Sequence, residues 1–319
     1  MPVPGKLAHR LRLHYLRVRA GAARPQTGGP PVDDRDFPDP FVLRVGSTYF
    51  AYATNAGGAN VQVMRSADLT GWEALPDALP VLPSWAGPGR TWAPAVLPLG
   101  DRYLLYYTVR EPTSDRQCVS VATARTPAGP FADNGTGPLV FQLERGGSID
   151  PSPFVDHDGT AYLLWKSDDN AFERASRLWG QPLAADGLAL SGTPTELLRH
   201  DRDWERPLIE APAMVCVDGV YYLFYSARWW ESADYAVGYA IALAPLGPFL
   251  KVTNTRPWMM TGGPAAGPGG QELFRHADGA LWMAYHGWTP GRVGYGVGGA
   301  RSLRLSRLVF PGGCPSAGA

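Results

Sequence analysis

Short runs of apolar and aromatic residues recur along the chain, bounded by turn dipeptides such as Gly-Ser, Gly-Asp or Asp-Gly. The clearest runs lie at 49–52, 103–107, 162–165, 221–225 and 281–285. Alternating runs of this length between turn signals predict β-strands. Beyond the first 25 residues the chain has no helical period of useful length. The pattern therefore predicts an all-β protein.

A proline motif precedes each of the first four runs. Its copies are Phe-Pro-Asp-Pro-Phe-Val (37–42), Trp-Ala-Pro-Ala-Val (92–96), Ile-Asp-Pro-Ser-Pro (149–153) and Ile-Glu-Ala-Pro-Ala-Met (209–214). The shared prolines, at positions 40, 94, 151 and 212, are 54, 57 and 61 residues apart, and a degenerate fifth unit starts near residue 271. Repeats of about 40–50 residues with three or four strands each are typical of β-propellers. We predict a five-bladed β-propeller whose longer units contain loop insertions.

The repeats also predict the domain organisation. We expect blades at about 37–80, 91–140, 148–200, 208–255 and 268–312, all within one catalytic domain spanning residues 33–319. Residues 1–32 begin with basic side chains interleaved with leucines and lack the unbroken apolar segment of a secretory signal. We expect a poorly ordered basic leader. The protein is then cytoplasmic, or secreted with a signal that this sequence does not contain.

Composition restricts the class of partner. The 29 Lys and Arg residues balance the 29 Asp and Glu residues, so no net charge favours nucleic acid or an anionic membrane. No apolar run approaches the roughly 20 residues that a membrane-spanning helix needs. The three cysteines are widely spaced, which argues against a disulfide framework or a zinc knuckle. These features favour an uncharged partner or substrate.

Three of the motifs carry a carboxylate at or within two residues before the shared proline, namely Asp39, Asp150 and Glu210. The first strand of each propeller blade lines the central channel, so we expect these acids to converge at one end of the axis. Hydrolysis of a glycosidic bond needs an acid that protonates the leaving oxygen and a second carboxylate opposite it. A single Asp-Pro usually marks a turn, whereas three acids at one register predict a glycosidase.

The four motifs, in this order, resemble those of glycoside hydrolase family 43, the five-bladed inverting arabinofuranosidases, xylosidases and arabinanases. The resemblance extends from about residue 36 to 310. It implies that Asp39 is the general base that activates water and that Glu210 is the general acid. Asp150 would orient the acid and raise its pKa. The implied reaction releases terminal α-L-arabinofuranosyl, or β-D-xylosyl, residues from plant cell-wall oligosaccharides.

Further residues are candidates for substrate binding. Trp92 and Phe37 lie beside motif prolines, where an aromatic ring can stack on a sugar face. The resemblance implies that His286 lies in the axial channel and holds a water or a cation, and that Arg301 contacts a substrate hydroxyl or the third carboxylate. Gln271 stands where the family usually has Gly-His-Asn or similar, in the fifth-blade pocket. No cofactor is required, and any Ca²⁺ or other ion would be held largely through water, since the sequence has no calcium loop or zinc spacing.

Three alternatives remain at this point. An endo-acting arabinanase of the same family would share all these motifs. The related invertase and fructosyltransferase group needs an Asn-Asp-Pro-Asn-like nucleophile motif, an Arg-Asp-Pro and a Glu-Cys, whereas this chain has Phe-Pro-Asp-Pro, Ile-Asp-Pro and Glu-Ala-Pro. A non-catalytic propeller that binds carbohydrate would not need three carboxylates at one register.

Overall fold

Five β-sheets surround a central axis in the computed structural model, which describes residues 12, 15–16 and 26–318. The innermost strand of each sheet contacts that of the next sheet, and the fifth contacts the first, so the sheets close into a ring. The prediction of an all-β, five-bladed β-propeller is confirmed. In the described part of the chain, no helix is long and apolar enough to cross a bilayer.

The strands of each blade follow one another from the axis outward, except that the outer edge of blade four includes a strand from the start of the chain. Blade one contains Phe41–Val45, Thr48–Ala53, Gln62–Ser66 and Glu73–Ala74, and blade two contains Gly87–Leu99, Arg102–Glu111 and Arg116–Ala124. Blade three contains Ser148–Val155, Ala161–Ser167, Arg177–Pro182 and Thr195–Arg199. Blade four contains Ile209–Val217, Val220–Ala227, Ala236–Ala242, Leu250–Lys251, Met259–Met260 and Gln26–Thr27, and blade five contains Ala266–Arg275, Leu281–Trp288, Arg301–Val309 and Ser316–Gly318. Short 3-10 helices lie at Leu143–Arg145, Asp169–Phe172, Asp203–Glu205, Tyr295–Val297 and Pro311–Gly313.

The aromatic second strands are apolar on both faces because each blade is packed between two others. In the described part of the chain, the buried apolar side chains form five clusters, one at each interface between neighbouring blades. Leu104 and Tyr106 face blade three, whereas Leu105 and Tyr107 face blade one. Successive side chains of a strand point to opposite faces. The sequence of a strand that is buried on both sides is therefore a nearly continuous apolar run.

A residue in the left-handed region lies within each innermost strand or, in blade one, two residues before it. These kink residues are Asp39, Ala93, Asp150, Ala211 and Gly270, with φ between 45° and 59°. Four of them are not glycine, although such residues rarely adopt positive φ, so the kink is a built-in feature of every blade. Asp39 and Asp150 are kink residues, but Glu210 immediately precedes its kink residue. The expectation of three acids at one register is therefore wrong for Glu210 by one position.

The two chain ends share the outer edge of blade five. Val32 and Phe37 hydrogen-bond through their backbone N–H groups to Leu303 and Arg301, while Val309 pairs with Ser316. Upstream, Gln26–Thr27 pair in parallel with Met259–Met260 of blade four. The folded region thus begins before the predicted boundary at residue 33, in a segment too rich in Gly and Pro to show strand alternation. The expected leader otherwise lies outside the described residues, apart from positions 12 and 15–16.

Candidate active site

One end of the axis opens into a cavity of about 500 Å³ that is lined by residues of all five blades. The three acids singled out from the sequence, Asp39, Asp150 and Glu210, all line it. The kinks of blades one, three and four bring them there from different sides of the axis. The cavity has the size of pockets that enclose organic ligands in proteins.

Asp39 lies on the side of blades one and five. Its Oδ2 accepts a hydrogen bond from Thr54 Oγ1 at 2.6 Å, and its Oδ1 lies 3.7 Å from the Arg301 guanidinium. Its backbone N–H donates to Nδ1 of His286 at 3.0 Å. These contacts hold the carboxylate in one orientation.

Glu210 and Asp150 form a coupled pair on the opposite side. Glu210 is 8% exposed, and its two oxygens accept hydrogen bonds from Tyr235 Oη at 2.7 Å and Lys166 Nζ at 3.1 Å. Asp150 Oδ2 accepts the backbone N–H of Ala211, the residue after the acid, at 2.9 Å. Burial, and then the charge of Glu210, raise the pKa of Asp150 to about 8. Because repulsion between two carboxylates is mutual, the pair retains a proton near neutral pH.

Side chains in, or directly after, the second strands connect four of the five kinks to the preceding blade. The positions opposite the kinks are equivalent in all five blades and hold Thr54, Thr108, Lys166, Ser226 and His286. Four of these side chains accept the backbone N–H of the next kink residue, at distances of 2.9–3.1 Å. We call this ring of contacts the girdle. These contacts fix the position and orientation of the kink residues that they bond, including Asp39 and Asp150.

His286 belongs to this girdle and does not line the cavity. It is fully buried, and burial, followed by the charge of Arg301, lowers its pKa to about 3. The imidazole is therefore neutral at physiological pH, which its Nδ1 requires in order to accept the Asp39 N–H. As a candidate substrate-binding residue, His286 does not reach a sugar in the cavity directly, because the ring lies beneath Gly270. A Cβ at Gly270 would stand only 2.6 Å from the imidazole.

The other expected binding residues are divided between cavity and core. Trp92, Gln271 and Arg301 line the cavity. Gln271 accepts a hydrogen bond from Ser226 and donates to the carbonyl of Ala211, so its amide supports the kink next to Glu210. Arg301 is close to Asp39 rather than to the third carboxylate.

The prediction that Phe37 binds substrate is wrong. Its side chain is 0% exposed and packs between blades one and five with Val42 and Leu303. The side chain before the motif proline points into the core here, so it cannot stack on a sugar. An aromatic wall lies elsewhere: Trp229, Trp230 and Tyr295 line the cavity.

The sequence places Trp229 and Trp230 in loops over the pocket, but Tyr295 and several polar groups of the cavity were missed by the sequence reasoning. The Arg301 guanidinium stacks 4.5 Å above the Trp230 ring, and Trp229 is 48% exposed, as a sugar platform requires. Asp36 lines the cavity and accepts a hydrogen bond from Tyr295 Oη. Aligning the second strands as well as the motifs would have singled out Lys166, whose place in other blades is taken by Thr, Ser or His.

Glu272 is a further carboxyl in the cavity wall. Burial raises its pKa to about 8, so the folded protein retains its proton where an unfolded chain would release it. Stability is then lost as pH rises from about 4.5 through about 8. We expect Glu272→Gln to raise the free energy of unfolding at pH 9 by on the order of 1–3 kcal/mol and to change it little at pH 4. Denaturant titrations at both pH values measure this, and an equal change at both would contradict it.

Comparisons with known proteins all identify glycosidases. The model of glycosyl hydrolases family 43 matches residues 29–315. The chain is 27% identical to a beta-D-galactofuranosidase of Aspergillus niger, over 81% of this chain and 76% of that protein. It is 26% identical to an arabinoxylan arabinofuranohydrolase of Bacillus subtilis, over 78% and 52%. It is 25% identical to a probable arabinan endo-1,5-alpha-L-arabinosidase A of Aspergillus flavus, over 87% and 89%.

Solved structures extend the similarity to nearly the whole fold. A thermostable family-43 glycoside hydrolase superposes with a TM-score of 0.80 at 28% identity, covering 92% of this chain and 96% of that one. An endo-1,4-beta-xylanase from Bacteroides thetaiotaomicron gives a TM-score of 0.76 at 27% identity, covering 89% and 95%. The chain spans about half the length, or less, of several curated relatives that it matches.

Proposed function

Because the chain belongs to glycosyl hydrolases family 43, we propose that this glycosidase hydrolyses α-L-arabinofuranosyl linkages of plant cell-wall oligosaccharides with inversion at the anomeric carbon. The observation that carries the proposal is the convergence of Asp39, Asp150 and Glu210 on one cavity. β-D-Xylosyl linkages are the second substrate within this proposal. Its partner is an uncharged arabinose- or xylose-containing oligosaccharide.

Each acid has one task in the proposed reaction. Asp39, oriented by Thr54 and Arg301, removes a proton from a water that attacks the anomeric carbon. Glu210 transfers its proton to the glycosidic oxygen as the bond to the leaving group breaks. Because Asp150 lies beside Glu210, the two carboxyl groups together bind more protons at neutral pH than two isolated carboxyl groups would. The free sugar and the leaving alcohol are released, Asp39 gives up the proton that it accepted to solvent, and Glu210 regains one from solvent.

A bound ion is compatible with the axial channel but is not needed for this chemistry. Nε2 of His286 is buried and has no hydrogen-bond partner, so it fits a water or an ion-bound water in the channel. Among the residues that the structure describes, no three His, Cys, Asp or Glu side chains form a metal site. Ca²⁺ or another ion would therefore be held largely through water, and Nε2 of His286 would donate a hydrogen bond to such a water.

Cleavage inside an arabinan chain is the second candidate. It is favoured by the endo-1,5-alpha-L-arabinosidase A of Aspergillus flavus, which is matched over 89% of its length. A cavity of about 500 Å³ also exceeds what one terminal pentose would fill, since pockets of 300–1,000 Å³ enclose drug-sized ligands. Internal and terminal cleavage leave the roles of the three acids unchanged.

Product analysis separates the two modes of cleavage. We expect nitrophenyl α-L-arabinofuranoside or linear arabinan to be hydrolysed, because one carboxylate set serves both. Arabinose as the first product from linear arabinan would establish terminal cleavage, and a ladder of oligosaccharides would establish internal cleavage. Chromatography of early time points measures this. No hydrolysis of arabinofuranosyl or xylosyl substrates at any pH from 4 to 9 would contradict the proposed function.

A further inference from the structure

Blade three departs from the girdle. In the other four blades a Thr, Ser or His side chain accepts the N–H of the next kink residue. Blade three has Lys166 at this position, and an ammonium group has no lone pair to accept with. The N–H of Ala211 is bonded by the carboxylate of Asp150 instead. The exception therefore lies at the blade interface that carries Glu210.

Burial of the charged Lys166 side chain also costs free energy. Lys166 is 1% exposed, and its Nζ donates to Asp168 Oδ1 at 3.0 Å and to Glu210 Oε2 at 3.1 Å. Burial opposes its charge, but the neighbouring carboxylates, first Asp168 and then Glu210, outweigh burial and raise the pKa of Lys166. A threonine here would complete the girdle without this desolvation, which costs several kcal/mol for a buried ion. Closure of the propeller therefore does not explain the lysine.

We propose that Lys166 is a positioning residue for Glu210, whose ammonium group orients the carboxyl and neutralises the carboxylate that remains after the proton has passed to the leaving oxygen. This inference rests on the proposed role of Glu210 as general acid. The step is balanced: Glu210 changes from acid to carboxylate, the leaving oxygen gains the proton, and Lys166 stays charged throughout. The Lys166 ammonium group also donates to Asp168, and the negative charge of Asp168 weakens the effect of the ammonium group on Glu210.

The proposal predicts shifts of opposite sign from two substitutions. The charged or titratable groups that face Glu210 and Lys166 are Asp150, Asp168 and Tyr235, with Asp39 across the cavity. Lys166→Met removes the positive charge, so Glu210 should hold its proton to higher pH. Asp168→Asn removes the competing negative charge, so Glu210 should lose its proton at lower pH. Opposite charges at such distances shift titrations by roughly 1–3 pH units.

The test combines two readouts on the full chain. Carbon-13 NMR of glutamate-labelled protein follows the Glu210 carboxyl through a pH titration, with Glu210→Gln identifying its signal. The pH profile of kcat/KM on arabinan or nitrophenyl arabinofuranoside gives the alkaline limb. Asp203→Asn is the matched control, because that side chain is fully exposed on a 3-10 helix. Asp168 is partly exposed, so its asparagine variant provides a test even if Lys166→Met does not fold.

We expect Lys166→Met to move both the Glu210 titration and the alkaline limb to higher pH by about one unit or more. Asp168→Asn should move both to lower pH, and Asp203→Asn should move neither. A Glu210 titration that is unchanged in Asp168→Asn, or that moves upward, would overturn the proposal. A titration that shifts as expected while the alkaline limb stays fixed would preserve the electrostatic link and instead refute Glu210 as the acid.

Discussion

Glu210→Ala should lower kcat/KM on an unactivated arabino-oligosaccharide by about 10²–10⁴-fold, the usual contribution of a positioned proton donor. A dinitrophenyl arabinofuranoside should lose much less activity, because its leaving group departs without protonation. The two hydrogen bonds that Glu210 accepts, from Tyr235 and Lys166, fix the donor in place but do not replace its proton. Steady-state kinetics on both substrates measures the difference.

The matched control for this substitution is Glu73→Ala, since Glu73 is an exposed glutamate on the outer strand of blade one. It should retain full activity on both substrates. Equal losses on activated and unactivated substrates in Glu210→Ala would assign Glu210 a role other than proton donation. Unchanged activity on the oligosaccharide would exclude it from the chemistry.

Asp39→Asn should lower kcat/KM by a similar 10²–10⁴-fold, but on activated and unactivated substrates alike. The attack of water needs a base whatever the leaving group is. Asparagine suits the substitution, because it tolerates the positive φ of 52° at this kink better than most residues. Its side-chain oxygen can also keep the hydrogen bond from Thr54. Kinetics with the same two substrates provides the measurement.

The contrast between the two variants identifies the roles. If Asp39→Asn regained activity with the dinitrophenyl leaving group and Glu210→Ala did not, the assignments of base and acid would be reversed. Thermal melts accompany both variants, because Asp39 also contacts His286 and Arg301. A melting temperature near that of the unsubstituted protein ties the loss to chemistry rather than to folding.

The propeller could be predicted from sequence because every blade faces the same physical problem. A strand buried between two neighbours must be apolar on both faces, and the chain must turn sharply at the axis, so aromatic runs and proline motifs recur together. Three of the carboxylates that line the cavity were predictable because the motifs themselves carry the acids, namely Asp39, Asp150 and Glu210. The pairing of residues 26–32 with blades four and five was not predictable, because this segment has no alternating pattern.

Other parts of the site depend on side-chain direction, which motif spacing does not give. Phe37 and Trp92 both lie beside a motif proline, yet one is in the core and the other lines the cavity. Glu210 precedes its kink whereas the two aspartates occupy theirs. Lys166 comes from a second strand, and it becomes noticeable only when those strands are compared across the five blades.

The stereochemistry of the first product tests the central claim most directly. In a proton NMR experiment in D₂O on an α-L-arabinofuranosyl substrate, the account predicts that the β-anomer of the released sugar appears first and that the α-anomer grows in later by mutarotation. This order follows if Asp39 activates a water on the face opposite Glu210. The α-anomer appearing first would contradict the account, because it requires a covalent intermediate on one of the carboxylates.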